Sequence, residues 1–207
     1  MIKIATSILS STDRIDSINK LNNTNTDYIH IDVMDNKFVP NYQLPVDEVN
    51  KLGKISNKLL DIHLMDEDPE KFIKNLSINN IKCISIHIEI NKDINHIINL
   101  IKSYGYDAGI AIKPSTNIDK IDKYIKEIDK IIIMSVEPGF GGQKFIKSSI
   151  DRIKAIKKKY PNVIIEVDGG INNETINLIK NLADIAVVGS YITNNSDYQE
   201  AINNLKN

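Results

Sequence analysis

With one cysteine, Cys83, among 207 residues, the chain cannot form an internal disulfide. That fits a reducing compartment, and the cytoplasm is the expected location. Charge of one sign is also missing: Lys+Arg 26 against Asp+Glu 27 leaves a formal net charge of -1. No excess of cations exists to attract nucleic acid or anionic lipid, so neither is expected as a partner. The one local basic run, Lys154–Lys159, precedes Pro161 at the end of a helical pattern, where cations complement the helix dipole. No charged leader or apolar signal core precedes the first strand pattern, Ile2–Leu9, and no apolar run reaches membrane-spanning length. A linker and a shift in composition are equally lacking, so residues 1–207 are expected to form one domain.

What the chain does have is alternation. Short β-branched runs occupy Lys3–Leu9, Tyr28–Met34, Leu59–Leu64, Cys83–Ile88, Asp107–Ile112, Lys130–Val136, Val163–Asp168 and Ile185–Gly189, eight in all. Between them, Asp13–Leu21, Pro69–Leu76, Asp93–Tyr104, Ile118–Ile128, Ser148–Lys159, Glu174–Leu182 and Asp197–Leu205 carry apolar residues at spacings of three and four. The stretch after the second strand, Val46–Leu52, is short and follows Pro45, and its helical pattern is the weakest. Strict alternation of this kind requires parallel strands with helical crossovers. Eight units close naturally into an α/β fold of the TIM (β/α)₈ barrel type. An open doubly wound sheet is the rival, but the first strand lacks the glycine-rich turn of a dinucleotide fold, and polar residues recur at many strand ends.

Barrel enzymes keep their chemistry at the carboxyl ends of the strands. Here those ends hold Ser7, His30 and Asp32, His63, Asp168, and Gly189 with Ser190. His30 and Asp32 lie two residues apart, so the pleat turns both side chains to one face. If that face looks inward, His63 and Asp168 complete a site of two imidazoles and two carboxylates, suited to Zn, Fe, Mn or Co. His96, in a helical stretch, reads as an ordinary surface residue. Glycine-bearing turns at Pro138–Gln143, Asp168–Gly170 and Gly189–Ser190 allow backbone N–H groups to approach an anion, and the last two follow the strands after which barrels often bind phosphate. Tight turns alone would also explain any one of them.

Several longer segments surround these residues: His30-Ile31-Asp32-Val33-Met34-Asp35, Asp61-Ile62-His63-Leu64-Met65, His87-Ile88-Glu89, Met134 through Gln143, Val167-Asp168-Gly169-Gly170-Ile171, and Gly189-Ser190. Their order and spacing along nearly the whole chain resemble the ribulose-phosphate 3-epimerase family. The resemblance implies interconversion of ribulose 5-phosphate and xylulose 5-phosphate in the pentose phosphate pathway, by way of an enediolate, in a homo-oligomer. It implies one divalent metal ion per subunit held by His30, Asp32, His63 and Asp168, with Asp32 and Asp168 as catalytic acid and base. Substrate contacts are implied from Ser7, His63, Gly139, Phe140 and Gly169, with phosphate around Gly141, Gly142, Gly170, Gly189 and Ser190. Met34, Met65 and Met134 are expected to line the pocket or, equally, to fill gaps in the core. His87 and Glu89 either back the site or are buried with satisfied hydrogen bonds.

Two departures fall in the loop after the second strand. Asn36 stands where the family usually has glycine, a mild change because Asn tolerates left-handed backbone. Tyr42-Gln43-Leu44-Pro45 replaces a segment usually containing threonine and glycine. They leave open an allulose-6-phosphate 3-epimerase, and a barrel that binds sugar phosphate without catalysis is the reading from another class.

Overall fold

The computed structural model describes residues 1–206. β1 (Lys3–Ser7) leads through α1 (Arg14–Asn22) to β2 (Tyr28–Asp35), then to a two-residue β3 (Tyr42–Gln43) and α2 (Val46–Ile55). β4 (Leu60–Met65), α3 (Pro69–Lys74), β5 (Ile81–His87), α4 (Ile94–Ser103) and β6 (Asp107–Ile112) follow. The remainder comprises β7 (Lys130–Met134), α5 (Ser149–Lys159), β8 (Ile164–Asp168), α6 (Ile176–Ile179), β9 (Ile185–Val188), α7 (Ser190–Thr193) and α8 (Tyr198–Lys206). Neighbouring strands pair in parallel around the ring β1, β2, β4, β5, β6, β7, β8, β9, and the ring closes because β1 pairs with both β2 and β9. Closure excludes the open doubly wound sheet. Among the described residues no helix is long and apolar enough to cross a membrane.

The pleat divides each strand between two environments. On β2, Ile29, Ile31 and Val33 belong to the large apolar cluster that the helices cover, while His30, Asp32 and Met34 alternate with them and face the barrel interior. Each fully buried isoleucine contributes roughly 1.5–3 kcal/mol, so the outer layer carries much of the stability. Among the described residues, the interior holds small apolar clusters: Ala111, Ile132, Met134 and Val136 in one, Ala5, Ile185 and Val187 in another, and Met34, Val39 and Met65 in a third. Polar side chains occupy the space between them. At the β5–β6 contact the interior is so close that a Cβ on Gly109 would strike the Ser85 hydroxyl.

Local chemistry explains the helix boundaries. Asp13 caps α1 by accepting from the Asp16 N–H at 3.0 Å, and Asp93 caps α4 through the His96 N–H at 3.2 Å. α2 extends past its short sequence pattern to Ile55, with Asp47 and Glu48 in its first turn and Lys54 in its last, each matching the helix dipole. The expected helix over Ile118–Ile128 is a correction: only Ile118–Ile121 is helical, as a 3₁₀ turn, and Tyr124 and Glu127 continue with bonds to the carbonyls three residues back. Ile118, Ile121 and Tyr124 lie at intervals of three, which serves a 3₁₀ geometry as well as an α-helix. The expected Glu174–Leu182 helix shortens to Ile176–Ile179. β3 and α7 had no counterpart in the sequence reading.

Candidate metal centre and active site

The strand register assembles the site. Asp32 lies beside His63, and His30 beside Asp61, across the β2–β4 pair, while Met134 of β7 lies beside Asp168 of β8. One donor atom from each of His30, Asp32, His63 and Asp168 falls within 4.8 Å of all the others. Asp32 Oδ1 is 3.5 Å from both His30 Nε2 and His63 Nδ1. Asp168 Oδ2 is 3.8 Å from His30 Nε2 and 3.3 Å from His63 Nδ1. His30 Nε2 and His63 Nδ1 are buried without a hydrogen-bond partner among the described residues. A buried polar atom left so costs on the order of 1–3 kcal/mol, and a cation between the four groups would relieve both. Two imidazole nitrogens and two carboxylate oxygens are therefore a donor set that fits a divalent transition metal.

The electrostatics agree with a cation site. Burial opposes charge on Asp32, yet the neighbouring His30 and His63 rings hold its carboxyl well below the usual carboxylate range. Burial also opposes charge on the imidazoles. Asp32 and Asp61 outweigh it at His30, and Asp168 and Asp32 at His63, so both pKa values rise.

Each imidazole is held from behind. His30 Nδ1 lies 2.9 Å from Asp61 Oδ2 and 3.5 Å from Glu166 Oε1, and Lys130 bonds both Asp61 and Glu166. His63 Nε2 lies 3.0 Å from His87 Nε2, and His87 Nδ1 lies 3.0 Å from Glu89 Oε2. Glu89 in turn accepts from the Lys113 N–H at 2.9 Å and from the Thr116 hydroxyl. Burial pushes the His87 imidazole down to about 4, so it is neutral near pH 7. Its ring stacks obliquely on Phe38, with centroids 4.6 Å apart. His87 and Glu89 thus both back the site and have satisfied hydrogen bonds. His96 is exposed on α4 beside Glu70, as its position implied. In the sequence Asp61 stands only as part of its segment, with no role, and Lys130 and Glu166 are not singled out. The available signal was a charged side chain two residues before His63 and before Asp168, which places it on the same inward face one layer deeper.

Above this floor opens a cavity of about 540 Å³. Ser7, Asp32, Asp168 and the three methionines Met34, Met65 and Met134 line it, as do Gly139, Phe140, Gly141, Gly142, Gly169, Gly170, Gly189 and Ser190. His30 and His63, each fully buried, lie beneath its wall. The Ser7 hydroxyl donates to Asp32 Oδ2 at 2.7 Å, orienting that carboxylate. The Ser135 hydroxyl reaches the carbonyls of Asp168 and Gly169 at 2.9 and 2.6 Å, fixing the strand end. Gly170 has φ 66, and a Cβ there would run into the Phe145 backbone, so the turn requires glycine. Thr175 donates to the Gly170 carbonyl at 2.9 Å and secures it.

The loop after β2 is well anchored despite its unusual residues. Asn36 takes φ 59, the left-handed conformation its place demanded. Leu44 also lies left-handed at φ 53, which its complete burial and the β3 pairing with Met34 and Asp35 sustain. Gln43 accepts from Arg14, and the Asn41 amide donates to the Gly139 carbonyl at 2.8 Å, tying this loop to the glycine-rich loop after β7.

Convergent polar groups at the carboxyl ends of a closed parallel barrel, under a cavity walled by glycine turns, define a (β/α)₈-barrel enzyme. The sequence places it more narrowly: the chain belongs to the ribulose-phosphate 3 epimerase family, whose model matches residues 3–193, a family of isomerases. A ribulose-phosphate 3-epimerase of Bacillus subtilis is 36% identical over 214 residues, covering 100% of this chain and 99% of its relative. One from Aquifex aeolicus is 37% identical across 87% of this chain and 83% of its own length. The cytoplasmic isoform of Oryza sativa is 32% identical across 99% and 92%. Among solved structures, KGPDC from Streptococcus mutans superposes with a TM-score of 0.74 at 13% identity, covering 100% of this chain and 96% of that one. At that identity the likeness concerns the fold.

Proposed function

We propose that the chain interconverts D-ribulose 5-phosphate and D-xylulose 5-phosphate, with one divalent metal ion held by His30, Asp32, His63 and Asp168. The carrying observation is that Asp32 and Asp168, from strands separated by β1 and β9, converge with two unpartnered imidazole nitrogens at the cavity floor. When bound, the cation stabilises negative charge on the oxygens beside the reacting carbon, an effect worth several kcal/mol in Lewis-acid sites.

The chain's own groups supply the proton traffic. Inverting C3 next to the C2 ketone needs a base on one face of the carbon and an acid on the other. Asp32, aimed by Ser7, is placed to accept the C3 proton. Asp168, reaching in from β8, delivers a proton to the opposite face, and the roles exchange in the reverse direction. The three methionines give the reacting carbon an apolar surround, and the turns at Gly141–Gly142, Gly170 and Gly189–Ser190 hold the phosphate by backbone N–H groups. The relatives named above all carry the five-carbon epimerase name, which favours the pentulose over a hexulose phosphate.

The test is incubation with ribulose 5-phosphate in D₂O after chelation and after reloading with Zn, Fe, Mn or Co. Deuterium at C3 and formation of xylulose 5-phosphate, both restored by metal, are expected. Sugar-phosphate binding with no deuterium under any metal would establish a non-catalytic barrel instead.

A further inference from the structure

Beneath the metal position the barrel interior buries a second group of ionic side chains, for which the catalytic scheme has no use. Lys130, Asp61 and Glu166 are 3%, 2% and 0% exposed, deep enough that their charges must be balanced locally. The donor atoms of His30, Asp61 and Glu166 themselves cluster within 4.8 Å. That cluster already has its cation: the Lys130 ammonium bonds Asp61 and lies 2.8 Å from Glu166 Oε2.

Stability is a poor reason to keep such a group. Replacing a buried ion cluster by apolar side chains of similar volume is often neutral or even stabilising. What it does to His30 is more specific. On its Nδ1 side the ring meets two carboxylate oxygens, Asp61 Oδ2 at 2.9 Å and Glu166 Oε1 at 3.5 Å. Asp61, which Lys130 also binds, lies at hydrogen-bond distance from Nδ1, so Nδ1 carries the hydrogen and donates to it, and Nε2 is then the nitrogen presented to Asp32 and Asp168. Lys130 holds both carboxylates in place from β7, so three strands fix one imidazole.

We infer that Asp61, Lys130 and Glu166 are positioning residues that lock His30 in the Nδ1–H tautomer and so set the affinity of the site above them for its metal. The inference rests on the metal reading given under Proposed function. Outer partners of a ligating histidine typically govern metal affinity by about 10–100-fold.

The experiment measures zinc affinity by competition with a chromogenic chelator, for the full chain and for Asp61→Asn, with circular dichroism to establish that each is folded. Asp61→Asn removes the charge and keeps the size, and an affinity about 10–100-fold weaker in a folded variant is expected. A purely structural role would lower Tm and leave zinc affinity unchanged, and that result overturns the inference. If Asp61→Asn does not fold, the combined Asp61→Asn, Lys130→Met, Glu166→Gln variant removes the whole charge group without stranding one ion, and the same criterion applies. In the zinc-loaded natural chain, ¹⁵N spectra are expected to show His30 with hydrogen on Nδ1 and none on Nε2, whereas hydrogen on Nε2 contradicts the lock. Failure of the natural chain to bind zinc or any other divalent metal would bring down the metal reading itself. Tight natural binding with unchanged Asp61→Asn binding brings down only the positioning role.

Discussion

The two imidazoles at the cavity floor face the same position and are supported in opposite ways. Behind His30 lies a sealed ionic group, Asp61, Lys130 and Glu166, all almost wholly buried. Behind His63 lies the neutral imidazole of His87, then Glu89, whose side chain is 16% exposed and is held by Thr116 and the Lys113 N–H. Each arrangement leaves one ring nitrogen bare towards the centre. The sealed support keeps its ionic groups away from water. The relay is built from single hydrogen bonds that water could replace at the Glu89 end. The same task, orienting a ring, is thus done by an ionic group where water is excluded and by a chain of hydrogen bonds ending on a partly exposed carboxylate where it is near.

That contrast orders the expected effects of substitution. Asp168 touches both imidazoles, so Asp168→Asn removes a group common to the two sides as well as the proposed proton donor; kcat for epimerisation should fall by about 10²–10⁴-fold with the fold intact, and near-normal turnover would refute the two-carboxylate scheme. On the sealed side alone, Asp61→Asn should weaken zinc affinity by about 10–100-fold. On the relay side, Glu89→Gln should cost less, because its amide still accepts from Thr116 and Lys113. Equal losses from Asp61→Asn and Glu89→Gln, measured by the same chelator competition, would abolish the contrast.

Acid stability separates the sides further. Burial opposes charge on Glu89, but His87, Thr116 and the Lys113 N–H outweigh it and bring its pKa from 4.5 down to about 2. The folded state therefore binds the proton less readily than the unfolded chain. The stability this contributes is fully present above about pH 4.5 and is lost as the pH falls towards 2. Glu89→Gln should flatten that part of the stability profile in denaturant titrations, an effect of a few kcal/mol at most. An unchanged acid limb would contradict the assignment. The smallest expected signal is at Cys83, beside the sealed group, where burial pushes the thiol up to about 12. Iodoacetamide should leave it unmodified in the native state and label it promptly in denaturant. Ready native labelling would show that the interior is not sealed.

The barrel was legible because β-branched runs and amphipathic stretches alternate eight times, and only closure of the sheet makes that pattern economical in buried surface. His30, Asp32, His63 and Asp168 were legible because pairs two apart on a strand share a face and because the surrounding motifs fix their order. The 3₁₀ turn at Ile118–Ile121 was hidden by a spacing that serves two helix types. Asp61, Lys130 and Glu166 were hidden for a different reason. A charge inside a strand ordinarily marks a solvent-facing residue; the spacing of two puts Asp61 and Glu166 on the inward face, but nothing local reveals that Lys130 of β7 reaches both of them in the middle of the barrel.

The most direct test of the account is zinc K-edge X-ray absorption on the metal-loaded chain. Two imidazole nitrogens together with carboxylate oxygens are expected around zinc, falling to one imidazole in His30→Ala and in His63→Ala. A zinc shell that contains no imidazole, or that is the same in both variants as in the natural chain, would contradict the convergence of these four side chains on one cation.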